Sequence, residues 1–162
     1  MRIAVFCVGN RLHMDDGVGP AVYDILKSRY EIPDNVILFD VGVMTMDLIT
    51  YVDTCDVVIA VDAVEGTDYP VGTIVRFKPE DAEHSSMYTM SLHDMKLTDL
   101  FDAALLVGYE AEGVCLGMQV DNTEPEILTQ ELSPAVRDAL PQLVDALLAE
   151  LARHGVALTE KA

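Results

Sequence analysis

Three side chains that could bind a metal ion lie in or next to the segments that connect predicted strands and helices. Asp16 lies in the loop after one such run, at residues 3–8. Asp62 directly follows a second run, at residues 57–61, and His93 lies just before a helical segment. Two carboxylates and one imidazole, with positions left for other ligands, suit Ni²⁺, Zn²⁺, Co²⁺ or Fe²⁺. The sequence therefore predicts one site for a divalent transition metal.

The first loop, residues 9–17, lies where a nucleotide-binding loop would also lie, between a strand and a helix. A phosphate loop needs exposed amides and usually a Lys or Arg. Here Asp15 and Asp16 occupy the start of the helix, where they would repel a phosphate and attract a cation. We expect one of the two to cap the helix, which has a single cap position, and the other to point into a functional site.

The remaining candidates are weaker when each is taken alone. Asp62 could be a turn or helix-capping acid, and isolated histidines such as His93 are more often ordinary surface or core residues than ligands. His13, in the first loop, is a weaker candidate for the same site, whereas His84 and His154 are expected to be solvated. The prediction of a site therefore rests on several candidates meeting at one edge of a sheet.

The elements that would position these residues alternate between strand-like and helix-like patterns. Strands are predicted at residues 3–8, 36–39, 57–61, 73–77 and 113–120, and helices near 18–30, 46–52, 97–104 and 133–155. This order predicts an α/β fold, a three-layer arrangement of a mostly parallel, twisted sheet of about five strands with helices on both faces. Ligands bind such sheets outside the carboxyl ends of the strands, which is where the candidate residues fall. A single domain is expected over residues 1–155, followed by a flexible tail over 156–162.

The chain has 162 residues and a formal net charge of −18, which disfavours partners with a phosphate backbone or an anionic lipid surface. We therefore predict no nucleic-acid and no membrane partner. The longest apolar runs have the length of strands, and the first residues read as a strand rather than as a signal peptide. A cytoplasmic protein is expected.

Sulfur-containing side chains suggest both packing and docking. Cys7, Cys55 and Cys115 are widely spaced and are expected to be small buried apolar residues in a reducing compartment. Methionines adapt their shape to variable apolar peptides, although each one could equally fill the core. Five of them are predicted to ring the same edge of the sheet: Met14, Met44, Met46, Met87 and Met90.

In combination these motifs resemble the hydrogenase maturation proteases, the endopeptidases that process the large subunit of nickel–iron hydrogenases. The matching segments are Gly9-Asn10, Asp15-Asp16-Gly17-Val18-Gly19, Val61-Asp62-Ala63, Ser91-Leu92-His93 and Glu131-Leu132-Ser133-Pro134-Ala135-Val136. The resemblance runs from about residue 1 to residue 154, and the combination of motifs is highly specific.

The resemblance implies an aspartyl-type peptidase that cleaves the carboxyl-terminal extension from a [NiFe] hydrogenase large-subunit precursor after nickel has been inserted. It implies that Asp16, Asp62 and His93 recognise the nickel of the substrate, so that the same residues are catalytic and metal-binding. No tightly held cofactor of the protein itself is expected. The chain departs from the family where some members have Glu in place of Asp16, and at residues 40–45, where a Gly-Thr pair is usual. The hydrogenase that it serves is therefore left open.

Two mechanisms and two other functions stay open at this point. Nickel could polarise the scissile carbonyl or activate water, or it could only dock the peptide while one carboxylate acts as general base. The alternative to a protease is a non-catalytic nickel-binding hydrogenase assembly factor on the same fold. A flavodoxin-like flavin carrier is a weaker alternative, because the loop at residues 9–17 contains neither Ser nor Thr.

Overall fold

The elements of the fold are those of an α/β protein. The computed structural model describes residues 1–12, 14–41, 54–65, 68–78, 89–90, 111–120 and 129–161, with backbone alone at 89–90. The strands are β1 (Ile3–Val8), β2 (Tyr30–Glu31), β3 (Val36–Val41), β4 (Val57–Glu65), β5 (Ile74–Phe77), β6 (Thr89–Met90), β7 (Glu112–Gln119) and β8 (Thr159–Glu160). The helical segments are a 3₁₀ turn (Met14–Gly17), α1 (Val18–Arg29) and α2 (Pro134–Arg153).

One six-stranded sheet contains most of these strands, in the order β3-β1-β4-β7-β5, with β6 paired to β4. Strands β3, β1, β4 and β7 are parallel, whereas β5 is antiparallel to β7 and β6 is antiparallel to β4. The predicted mostly parallel α/β sheet is therefore confirmed, and the sheet is mixed at its β5 and β6 pairings. The helices predicted at 46–52 and 97–104 lie outside the described residues.

The core lies on both faces of the sheet. On one face α1 and α2 pack against it through fully buried side chains such as Val22 and Leu147. On the other face Phe6, Ala60 and Cys115 belong to a second buried cluster, in which Phe6 and Phe39 stack edge to face at 5.5 Å. Burying one such apolar side chain contributes about 1.5–3 kcal/mol. Strands β1 and β4 are thus buried on both sides and form a firm base for the loops at their carboxyl ends.

Both ends of α2 follow from its sequence. Ser133 is the N-cap residue and Pro134 occupies the first helical position, as predicted. At the other end Gly155 has φ +80°, the N–H of Gly155 donates to the carbonyl of Ala152, and the N–H of Val156 donates to that of Leu151. This is a Schellman motif, in which a glycine supplies the left-handed turn that ends the helix.

The residues after Gly155, where the sequence suggested a flexible tail over 156–162, are packed and paired over part of their length. Val156 is buried, and Thr159–Glu160 pairs antiparallel with Tyr30–Glu31. The N–H of Lys161 also donates to the carbonyl of Arg29 at 2.8 Å. A two-residue strand is too short to produce a periodic pattern, so the sequence alone did not reveal this pairing.

All three cysteines are free thiols in the core, as predicted. Cys7 and Cys115 lie within the central strands β1 and β7, and Cys55 lies just before β4. Burial raises the pKa of the Cys7 thiol, and the nearby charges of Asp40 and Asp24 raise it further against the opposing effect of Arg11. The Cys7 thiol is therefore structural and unreactive in the folded protein. No helix among the described residues is long and apolar enough to cross a membrane.

Candidate active site

Asp16 lies in the 3₁₀ turn between β1 and α1, with its side chain only 1% exposed. The backbone N–H of Asn10 donates to Asp16 Oδ2 at 2.9 Å. Gly9 lies directly beneath this turn: its φ is +144°, and a Cβ placed on it would be 1.9 Å from the carbonyl oxygen of Asp16. Only glycine fits this position, so Gly9 and Asn10 together determine where Asp16 sits.

The first turn of α1 packs closely against the carboxyl-terminal residues of β1 and against Val61 of β4. A Cβ on Gly19 would lie 2.3 Å from the carbonyl oxygen of Val8 in β1 and 2.7 Å from that of Val61 in β4. Because β1 and β4 are parallel and pair as far as Cys7 and Val61, this contact places the start of α1 above the carboxyl ends of both strands. The 3₁₀ turn that holds Asp16 also contacts β4.

Asp62 lies in β4, directly after the Val61 residue that Gly19 contacts. The sequence placed Asp62 after the end of the strand, but β4 continues to Glu65 because its pairing with β7 extends from Val57 to Val64. Asp62 is therefore a strand residue, 2% exposed, whose Oδ1 accepts a hydrogen bond from the N–H of Ala63 at 2.8 Å. The residue that pairs with Asp62 on the neighbouring strand β7 is Gly117, which has no side chain.

The structure thus brings Asp16 and Asp62 to the same carboxyl edge of the sheet. In the parallel register, the end of β1 lies beside Asp62 of β4. Gly9, the residue that follows β1, lies against the backbone of Asp16. The third predicted residue, His93, lies outside the described residues, as does His13. Within the described part of the chain no group of three His, Cys, Asp or Glu side chains could hold a metal ion. His154 is near Glu150 in α2, away from this edge.

Asp15 has a different function from the helix cap expected for one of the two acids. Helix α1 has Gly17 at its N-cap position and no side-chain cap. Instead, Asp15 is fully buried and accepts hydrogen bonds from the backbone N–H and the hydroxyl of Ser133, at 2.7 and 2.8 Å. The contact joins residues that are 118 positions apart, so nothing in the local sequence pattern indicated it.

Two further contacts hold the first loop, and sequence reasoning missed both. Met14, at φ +50°, donates its N–H to the carbonyl of Thr129, and the N–H of Thr129 donates to the carbonyl of Leu12. Arg11 binds the carboxylates of Asp24 in α1 and Asp40 in β3. These hydrogen bonds, with that to Asp24 the stronger, raise the pKa of Arg11. The loop is therefore tied to α1, to β3 and to the segment that leads into α2.

Only part of the predicted methionine rim lies within the described side chains. Met14 is half-buried in the 3₁₀ turn next to Asp16. Met90 is in β6, where the backbone alone is described, and Met44, Met46 and Met87 lie outside the described residues. The docking surface that these methionines suggested therefore stays a prediction.

Comparisons with known proteins show the family to which the chain is related. The family model described as hydrogenase maturation protease matches residues 20–150. The chain is 29% identical over 157 residues to the Hydrogenase 2 maturation protease of Escherichia coli K12, covering 96% of this chain and 94% of that protein. It is 31% identical over 162 residues to the hydrogenase expression/formation protein HoxM of Azotobacter vinelandii, covering 95% and 78%.

The fold is also shared with a solved structure. The hydrogenase maturating endopeptidase HybD from E. coli superposes with a TM-score of 0.84 at 27% sequence identity, covering 99% of this chain and 98% of that one. The match of the family model to most of the chain, together with the shared fold, establishes the relationship that the motifs suggested. The chain belongs to the hydrogenase maturation protease family and is a peptidase.

Proposed function

We propose that this peptidase removes the carboxyl-terminal extension from a nickel-loaded [NiFe] hydrogenase large-subunit precursor. The observation that carries the proposal is the pair of buried carboxylates, Asp16 and Asp62, on neighbouring segments at the carboxyl edge of the sheet. The names of the relatives, which refer to hydrogenase maturation, expression and formation, support the class of substrate.

The chemistry of the pair suits a cation that arrives with the substrate. Burying carboxylates is costly unless they are compensated, and two of them near one another favour a divalent ion over a neutral ligand. Asp16 and Asp62 supply oxygen ligands, and we propose His93 as the nitrogen ligand that completes the set. The nickel would be part of the precursor, so the protein needs no tightly held cofactor of its own.

Two steps of hydrolysis could use this arrangement. Nickel held between Asp16 and Asp62 would act as a Lewis acid on the scissile carbonyl or on the attacking water. Alternatively, the ion docks the precursor and one of the carboxylates takes the proton of the water, which is the aspartyl-type reaction. Replacing Asp62 by Asn separates the two, because the amide remains a weak oxygen ligand but cannot accept that proton. Full nickel-dependent binding without cleavage would favour the carboxylate as the base.

The function is tested with purified protein and two preparations of one precursor, one loaded with nickel and one without. We expect the mass of the loaded large subunit to fall by the mass of the extension, and the mass of the nickel-free subunit to stay constant. A loaded precursor that binds the protein but keeps its full mass would contradict the protease and favour the non-catalytic assembly factor.

Variants locate the reaction on the two carboxylates. We expect Asp16→Asn and Asp62→Asn each to lower kcat/KM by at least about 100-fold, since loss even of groups that support metal ligands costs 10–100-fold. Asp138→Asn is the matched control, because the Asp138 side chain is 72% exposed on α2 and pairs only with Arg137 among the ion pairs of the described residues. Wild-type cleavage by either site variant would remove that residue from the mechanism.

A further inference from the structure

The buried link between Asp15 and Ser133 is the strongest structural feature near the site that the reaction itself does not use. Both oxygens of the Asp15 carboxylate are engaged by Ser133, one by its N–H and one by its hydroxyl. Hydrogen bonds to a charged carboxylate are roughly twice as strong as those between neutral groups. The contact is also completely shielded from water on the Asp15 side, where solvent would otherwise compete.

Ser133 is unusual as the N-cap residue of α2. A serine at this position normally accepts a hydrogen bond from the backbone of its own helix, but here the side chain makes no such bond. Its hydroxyl donates to Asp15 instead. The side chain of Ser133 therefore stabilises the contact with the first loop rather than the start of its own helix.

The link is one of several hydrogen bonds between the first loop and residues 129–133. Thr129 exchanges two backbone hydrogen bonds with the first loop, accepting from Met14 at 3.0 Å and donating to Leu12 at 2.9 Å. These bonds hold Met14 in a left-handed conformation, with φ at +50°, that non-glycine residues rarely adopt. The segment 129–133 thus forms a strap that is hydrogen-bonded along the first loop.

Asp16 is the residue directly after Asp15 in the same 3₁₀ turn. We infer that Asp15, held by Ser133, is a positioning residue that fixes the Asp16 carboxylate in its catalytic place. Gly9 and Asn10 contact Asp16 itself, and the strap constrains the same turn through Asp15 and Met14. Freeing Asp15 would let the turn rotate, and displacement of a reacting group by about 1 Å can cost about 100-fold in rate.

The inference rests on the proposed function, and its first test is the cleavage of nickel-loaded precursor. Ser133→Ala removes the hydroxyl but keeps the backbone bond, so we expect kcat to fall about tenfold with KM unchanged. Ser133→Thr keeps the hydroxyl and should restore kcat to near the wild-type value. Asp15→Ala, which removes both bonds, should lower kcat further if the variant folds.

A matched control separates positioning from loss of stability. Arg76→Met breaks the ion pair of β5 with the buried Glu150, on a part of the fold that is not in the site, and should lower the urea midpoint without changing kcat. A fall in kcat for Arg76→Met as large as that for Ser133→Ala would overturn the inference, as would wild-type kcat in Ser133→Ala and Asp15→Ala.

A second measurement does not depend on activity. The amide of Asn10 donates to Asp16 Oδ2, so its proton shift and hydrogen-exchange rate in NMR spectra report where that carboxylate lies. We expect faster exchange at Asn10 in Ser133→Ala, with the Val156 amide at the far end of α2 unchanged. An Asn10 amide that exchanges at the wild-type rate in Ser133→Ala would overturn the inference, whether or not the protein cleaves a precursor. Absence of cleavage by the wild-type protein would contradict the proposed function alone.

Discussion

At the scale of single residues, the site depends on backbone positions that tolerate only glycine. Gly9 meets the carbonyl of Asp16, and Gly19 meets the ends of β1 and β4. These close approaches bring the 3₁₀ turn that contains Asp16 into contact with β4, the strand that contains Asp62.

Gly9→Ala tests this dependence. The backbone at φ +144° costs an alanine about 1–3 kcal/mol, and its methyl group would meet the carbonyl of Asp16, so stability and cleavage should both fall. Gly155→Ala is the matched control, because its φ is +80° but nothing lies within 4 Å of the added Cβ. It should cost about 1 kcal/mol in urea unfolding and leave cleavage intact. Equal kcat in both variants would refute the positional importance of Gly9.

The positions of two of the candidate residues were predictable because they follow from the order of elements. An acid after a buried parallel strand lies at the carboxyl edge, and this rule located both Asp16 and Asp62. The rule could not give the length of β4, because that depends on how far β7 continues beside it. Nor could it separate Asp15 from Asp16, since the partner of Asp15 is distant in sequence.

At the scale of elements, α2 is held to the edge strand β5 by a buried charge. Glu150 is 1% exposed and accepts hydrogen bonds from Arg76 in β5 and from Arg153 one turn further along α2, with His154 nearby. Burial would raise the pKa of Glu150, but the hydrogen bond and charge of Arg76, followed by His154 and Arg153, hold it below the ordinary 4.5. The carboxylate form therefore stabilises the fold.

The pH dependence follows from the direction of this shift. A lowered folded-state pKa contributes stability that is present above about pH 4.5 and is lost as the pH falls through the folded value. Glu150→Gln should therefore be less stable than wild type by about 1–3 kcal/mol at pH 7, a difference that narrows below pH 4.5. Urea unfolding at a series of pH values measures it, with Asp138→Asn as the control. A gap that widens in acid would contradict the assignment.

The elements themselves were largely predictable from apolar periodicity. The pattern located α1, the start and end of α2 and the described central strands, because each buries one or both faces against its neighbours. It missed β2, β6 and β8, which have two residues each and owe their pairing to elements distant in sequence. The segment after α2 illustrates the same limit, since only Ala157 and Leu158 separate Val156 from β8, a stretch too short to show a periodic pattern.

At the scale of the whole molecule, the proposed function requires a protein that recognises nickel bound to its precursor substrate. We expect the purified protein to contain far less than one nickel per chain after dialysis against a chelator, measured by elemental mass spectrometry. Asp16, Asp62 and the proposed His93 offer few ligands until the precursor supplies the rest. A stoichiometric metal that survives the chelator would contradict the proposed recognition of substrate nickel.

The three buried cysteines have a thermodynamic consequence for any work with nickel. In the folded chain the three thiols are buried and cannot bind a metal ion from solution. The denatured chain exposes all three thiols together with four histidines. The denatured state then competes for free nickel, and mass action shifts the equilibrium towards it. Micromolar free nickel should therefore lower Tm, whereas Mg²⁺, which prefers oxygen ligands, should not. If the proposed function holds, we expect excess free nickel to destabilise the fold, whereas nickel already seated in a precursor marks the substrate for cleavage.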